Sequence, residues 1–322
     1  MRRVISAALA AVALLAAVPA TAQIIIVPEA QGEAAIRHSQ LATATAQKVT
    51  SLMLAVVNDP GYVEATSPDD LAAYIDANRA RIASTRAEIR RLKAELDALP
   101  TVGRPSDPPQ IRISDQVVDD IAVFCGNIDD LLGDVLALGD ALKSGDGARS
   151  QRVAMSLMRG SIAVVDAQSL MLRSRLPLMG SDTSAYHRVS AMACFYDAMA
   201  AYQRGEYEFV TRSEAAGKVA EAEACMRERI AASQTFLRIE AVAPPPRADL
   251  IAMRDQLTAV YAETLTQLTK GADLLGEAQS VMARGDLEAF NLPLTERVIA
   301  FEAEMQRLTI REVDVVASTQ GL

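Results

Sequence analysis

Between Val117 and Leu142 eight apolar residues recur at alternating intervals of four and three: Val117, Ile121, Phe124, Ile128, Leu131, Val135, Leu138 and Leu142. A helix turns about every 3.6 residues, so this spacing lays all eight along one stripe, whereas a strand would send them to both faces. Two more stretches carry the same signal. Ile75, Ile82, Ile89 and Leu96 step by sevens with Leu92 and Leu99 beside them, and Leu294, Val298, Phe301, Met305 and Leu308 repeat the pattern near the end. Alternation of period two is nearly absent, and only the apolar run Ile24 to Val27 reads as a short strand or an extended arm. The expected fold class is all-α.

Proline sets the limits of the helical runs. It stands at Pro60 and Pro68, at Pro100, Pro105, Pro108 and Pro109, at Pro177, at Pro244 to Pro246 and at Pro293. Three glycine turns share a pattern: Ser144-Gly145-Asp146, Arg204-Gly205-Glu206 and Arg284-Gly285-Asp286. A glycine in the left-handed conformation ends one helix, and the acidic residue after it can open the next. These turns place helical hairpins over about 114–176, 184–242 and 248–314. An earlier pair, about 30–58 and 68–99, turns at Asn58-Asp59-Pro60-Gly61. The result is an elongated array or bundle of about four antiparallel hairpins, roughly eight helices, with a kink or restart expected at Pro293. The domain reading is 23–113 for an N-terminal hairpin with its proline-rich linker, and 114–322 for three hairpins in one continuous helical domain. The turn Tyr202-Gln203-Arg204-Gly205-Glu206-Tyr207 is similar to the one inside a tetratricopeptide repeat. However, the turns recur at 60 and 80 residues rather than the 34 of that repeat.

The first 22 residues have the pattern of a secretory signal. Arg2 and Arg3 precede an apolar run from Val4 to Val18, Pro19 breaks it, and Ala20-Thr21-Ala22 offers a cleavage site before Gln23. The run falls short of the roughly 20 residues that span a bilayer. The expectation is an exported chain, most simply periplasmic, with no transmembrane segment after cleavage. Cys125, Cys194 and Cys225 would then meet an oxidising compartment, where three cysteines allow one internal pair. If the hairpin tips stack level, Cys125 lies 20 residues before Gly145 and Cys225 lies 20 after Gly205, which favours Cys125–Cys225 with Cys194 buried and free, with no bridge at all as the alternative.

A formal charge of −9 repels phosphate backbones and argues against nucleic acid as the main partner. The helix from Ser114 is acidic off its seam (Asp115, Asp119, Asp120, Asp129, Asp130, Asp134 and Asp140), and the one before it is basic (Arg79, Arg81, Arg86, Arg90, Arg91 and Lys93). The pattern lacks the spacing of a calcium loop, so internal charge matching is the expectation.

Aromatic residues are scarce, yet Tyr186, Phe195, Tyr196, Tyr202, Tyr207 and Phe209 all fall within one short stretch, together with His187, Met192, Cys194 and Met199. On a helix His187, Cys194, Phe195 and Tyr202 share one face, and Met192, Tyr196 and Met199 share another. A helix apolar on two faces belongs in the middle of a bundle. If the protein holds a small molecule or a soft metal such as copper(I), the candidate ligand residues are His187, Met192, Tyr196, Asp197 and Met199. Asp197 also interrupts the apolar run, where it would face water or pair with Arg204 or a neighbouring arginine.

No catalytic or phosphate-binding motif occurs: G-x-S-x-G, H-E-x-x-H, the P-loop and G-x-G-x-x-G are all missing, and the two histidines lie far apart in sequence. No catalytic residue, metal site or cofactor is expected. The leading expectation is a non-enzymatic binding or scaffolding module whose partner is another protein or a peptide, seated in a groove between helices. A small-molecule or soft-metal bundle is the alternative, and a cell-envelope enzyme with carboxylates from different helices is a second.

Overall fold

The seam from Val117 to Leu142 becomes the longest helix among the described residues. The computed structural model describes residues 29–57, 67–104, 107, 109–243, 251–284 and 287–320. Within these it is 90% helical, with nine α-helices packed together and no strand. In chain order they are α1 (Glu29–Val57), α2 (Pro68–Ala77), α3 (Arg79–Asp97), α4 (Pro109–Lys143), α5 (Gly147–Arg175), α6 (Ser184–Glu206), α7 (Arg212–Val242), α8 (Ile251–Arg284) and α9 (Leu287–Gln320). The expected signal segment, the arm at Ile24 to Val27, the Asn58 turn, the link at Pro244 to Pro246 and the tip at Gly285 lie outside the described residues.

Local chemistry explains the starts and stops. Ser67 and Asp70 close a capping box around Pro68, with Ser67 Oγ accepting from Asp70 N at 3.1 Å and Ser67 N donating to Asp70 Oδ2 at 2.9 Å. Asp146 accepts from Arg149 N at 2.8 Å, and Thr183 and Thr211 do the same for α6 and α7. One helix more than expected arises at Asn78, whose backbone leaves the helical region and whose amide donates to Tyr74 O at 3.0 Å, splitting the second arm into α2 and α3. Conversely, α9 runs unbroken through position 293, so no restart occurs at Pro293. A proline in the second turn forfeits one backbone bond, and beyond it Leu294, Val298, Phe301, Met305 and Leu308 are all buried.

The turns behave differently from one another. Gly145 has φ 66 and ends α4 in the left-handed conformation. Gly205 does not: it stays helical, and the left-handed residue is Glu208, φ 60. A side chain at Gly205 would meet Ala215 Cβ at 2.4 Å and Met282 Cε at 2.3 Å, so this glycine serves a close crossing of α6 with α7 and α8.

Buried apolar residues form two clusters. The first joins α1 to α4 with one face of α5, and the second joins the other face of α5 to α6 through α9. The apolar seams read from the sequence line these clusters. Arg86 and Arg90 both bond Asp129, at 2.9 and 2.8 Å, Arg79 pairs with Asp140, and Lys143 returns to Asp76. The basic and acidic helices are thus matched in antiparallel register. Gly139 lets α2 come close, since a Cβ there would sit 2.6 Å from Ile75 Cγ2.

Candidate functional site

The aromatic stretch forms α6, which is buried on nearly all sides. Its register against α5 is set by polar contacts: Ser161 Oγ donates to Gln203 Oε1 at 3.4 Å, and Ser169 Oγ donates to Asp197 Oδ1 at 2.6 Å. Gln168 and Tyr196 each lie one heptad along from the first pair, which brings them level. Both are fully buried, and neither the Gln168 amide nor the Tyr196 hydroxyl finds a hydrogen-bond partner among the described residues.

The candidate ligand residues do not converge. His187 stacks on Phe236 at 5.2 Å and 10°, with Tyr186 edge-on to it. Burial, and next the nearby Arg229, hold its imidazole below its usual pKa. Met192 and Met199 pack into the second core. Burial, then Glu302, push the Tyr196 hydroxyl well above its ordinary range. Asp197 alone faces outward, paired with Arg173 rather than Arg204, which instead takes Asp166.

The cysteine pairing differs from the expectation. Cys194 and Cys225 form the disulfide, with Cα atoms 6.1 Å apart, and Cys125 is the buried free thiol. Cys125 lies in the first core while Cys225 packs against the second. The assumption of level tips fails for two reasons. The α6–α7 turn is not centred on Gly205; the point midway between the bridged cysteines falls between Phe209 and Val210. That turn also meets α5 at Arg159, whose guanidinium lies 5.7 Å from the Phe209 ring, far from the tip at Gly145. With Cys194 bridged, a soft-metal site on α6 has no thiolate to use.

These elements leave a solvent-open valley of about 460 Å³ over the outer face of α6, flanked by α5 and α7. Its floor consists of the Cys194–Cys225 bridge with Ala201, Ala215 and Ala222. One wall carries two ion pairs a heptad apart on both helices, Asp166–Arg204 and Arg173–Asp197. The other carries Glu214, Lys218 and Glu221 of α7, where Lys218 lies 3.4 Å from Glu221. Leu170, one turn from both Asp166 and Arg173 on α5, is 51% exposed. Sequence reasoning reached Asp197, Arg204 and two of the cysteines but not Asp166, Arg173 or the α7 wall. The heptad spacing of opposite charges on two successive helices is the signal that could have found the first pair of these.

Among the described residues no group of three or more His, Cys, Asp or Glu side chains is arranged to hold a metal ion, and no described helix is long and apolar enough to cross a membrane. The fold and site define an all-helical array with a charge-walled valley floored by small side chains. No protein-family model, curated protein or solved structure matches the chain.

Proposed function

We propose that this is an exported, non-catalytic helical protein of the cell envelope, most simply the periplasm, that binds or scaffolds another protein or a peptide along the α5–α7 valley. The valley is the observation that carries the reading. Fixed charges stand at helical spacing on both walls, the floor is small enough for close approach, and Leu170, one turn from the wall residues Asp166 and Arg173, is exposed. The export half of the reading rests on the signal-like first 22 residues, and a disulfide suits an oxidising compartment.

The test is photo-crosslinking of the full chain in the cells that make it, with p-benzoylphenylalanine at Lys218 in the valley or at Glu304, a half-buried position on α9 outside the valley. A discrete adduct from Lys218 alone, on a chain that begins at Gln23 and fractionates with the periplasm, is expected. Equal adducts from both positions, or none from Lys218, would remove the valley as the binding site. A chain retaining residues 1–22 in the cytoplasm would remove the export assignment.

A further inference from the structure

We infer that the occupant of the valley is an amphipathic helix of a partner protein, about three turns long, seated by small and apolar side chains and carrying lysine or arginine at seven-residue spacing along its α7-facing edge. This rests on the preceding reading of the valley as the binding site.

Shape argues for a helix. The residues of α6 that face the valley are Cys194, Asp197, Ala201 and Arg204; on α7, inside the edge residues Glu214 and Glu221, the inner set is Ala215, Lys218, Ala222 and Cys225. Both sets step by three, four and three, the spacing a third helix reads when its side chains enter the holes between two neighbours. From Cys194 to Arg204 the floor runs about 15 Å, or about ten residues of helix. Its small side chains permit close approach, and Leu170 offers an apolar contact at the crest.

Charge argues for a basic edge. On the α5–α6 side each carboxylate already has an arginine: Asp166 has Arg204 and Asp197 has Arg173. That wall is neutral. On the α7 side Glu214 has no ion pair among the described residues, and Glu221 has only Lys218 at 3.4 Å. The unmatched charge of the valley is therefore negative, and its two carboxylates lie seven residues apart on one face of α7. A helix laid alongside meets both with cations at the same interval. Lys218 stands between them and disfavours an unbroken basic run opposite.

The experiment uses the full chain with p-benzoylphenylalanine at Leu170, on the crest and outside the charged set. The adduct is digested and its partner peptide sequenced, in the parent and in the Glu214→Lys/Glu221→Lys variant. Both glutamates are exposed, so the variant should keep the parent's helical circular dichroism, with a melting temperature only slightly lower because Glu214 sits in the first turn of α7, where a carboxylate favours the helix; both are measured alongside. The expected result is a helix-forming peptide with basic residues seven apart. Its adduct yield should fall about tenfold on charge reversal, the scale of two exposed ion pairs turned repulsive. A partner segment that is acidic, proline-rich or without the basic heptad overturns the inference while leaving the valley a binding site. A yield unchanged by charge reversal does the same. No adduct from Leu170 overturns this inference, and no adduct from either Leu170 or Lys218 overturns the valley assignment with it.

Discussion

Arg188 and Glu312, 124 residues apart in the chain, form an ion pair at 3.4 Å with both side chains buried, and the Arg188 guanidinium lies 3.5 Å over the Tyr261 ring. The pair joins α6 to α9 through α8. Removing one partner strands a buried charge, whereas removing both does not. Glu312→Ala should therefore cost about 3–5 kcal/mol in urea unfolding, and Arg188→Met/Glu312→Leu should cost much less. A double mutant as unstable as the single one would show that packing, not the uncompensated charge, sets the loss.

Glu302 is the opposite case, a carboxyl buried in the second half of the molecule with Oε2 unpartnered among the described residues. Burial raises its pKa well above the usual carboxylate range. A raised folded pKa means that the folded protein binds the proton more tightly, so this group's stabilisation is complete below its ordinary value of 4.5. It is lost as pH climbs toward the folded value, with a slope near 1.4 kcal/mol per pH unit. Glu302→Gln should be more stable than the parent at pH 8 and similar at pH 4. Parallel stability curves for the two proteins across that range would disprove it.

Gly139 faces Ile75 across the α2–α4 crossing. Adding one methyl at Gly139→Ala forces the two helices apart, at about 1–3 kcal/mol, against a helix-propensity gain of up to about 1. Net destabilisation is expected, with recovery in Gly139→Ala/Ile75→Ala, where the intruding methyl finds room. Thermal unfolding of the four proteins in this cycle decides whether the two sites are coupled.

The thiols should separate by reactivity. Burial pushes the Cys125 thiol up to about 12, so native protein at pH 8 should resist iodoacetamide completely and take up one equivalent once unfolded. After reduction of the unfolded chain it should take three. Native-state labelling of Cys125, or a peptide map joining Cys125 to either other cysteine, would contradict the pairing.

Much of the architecture can be read without coordinates because it depends on spacing within one helix. The Val117–Leu142 and Leu294–Leu308 seams are core, and the arginines of α3 meet the aspartates of α4, since each pattern is local to a single element or an adjacent pair. The disulfide could not be read this way. It depends on where a turn is centred, and Gly205, which looked like a left-handed stop, is helical because its missing side chain serves Ala215 and Met282 instead. The valley needs three helices in register and is illegible for the same reason. Asp197 stood out as a charge in an apolar run, but its arginine, 24 residues earlier, is fixed only by the offset of α5 against α6.

The way the cores meet limits how the chain can be divided. Val164 and Met171 of α5 belong to the first cluster, Val165 and Leu172 to the second, and Tyr207 reaches from the α6–α7 turn into the first. A fragment ending before α5 would lack one wall, and a fragment ending after it would leave Val165 and Leu172 bare to water and the Tyr207 socket unfilled. A cut on either side of α5 therefore leaves neither piece with a complete core. A protease nick anywhere between Gly147 and Tyr207 should thus bring down both halves together, and exchange of the truncated chain with an unrelated helical bundle has no natural joint at which to happen.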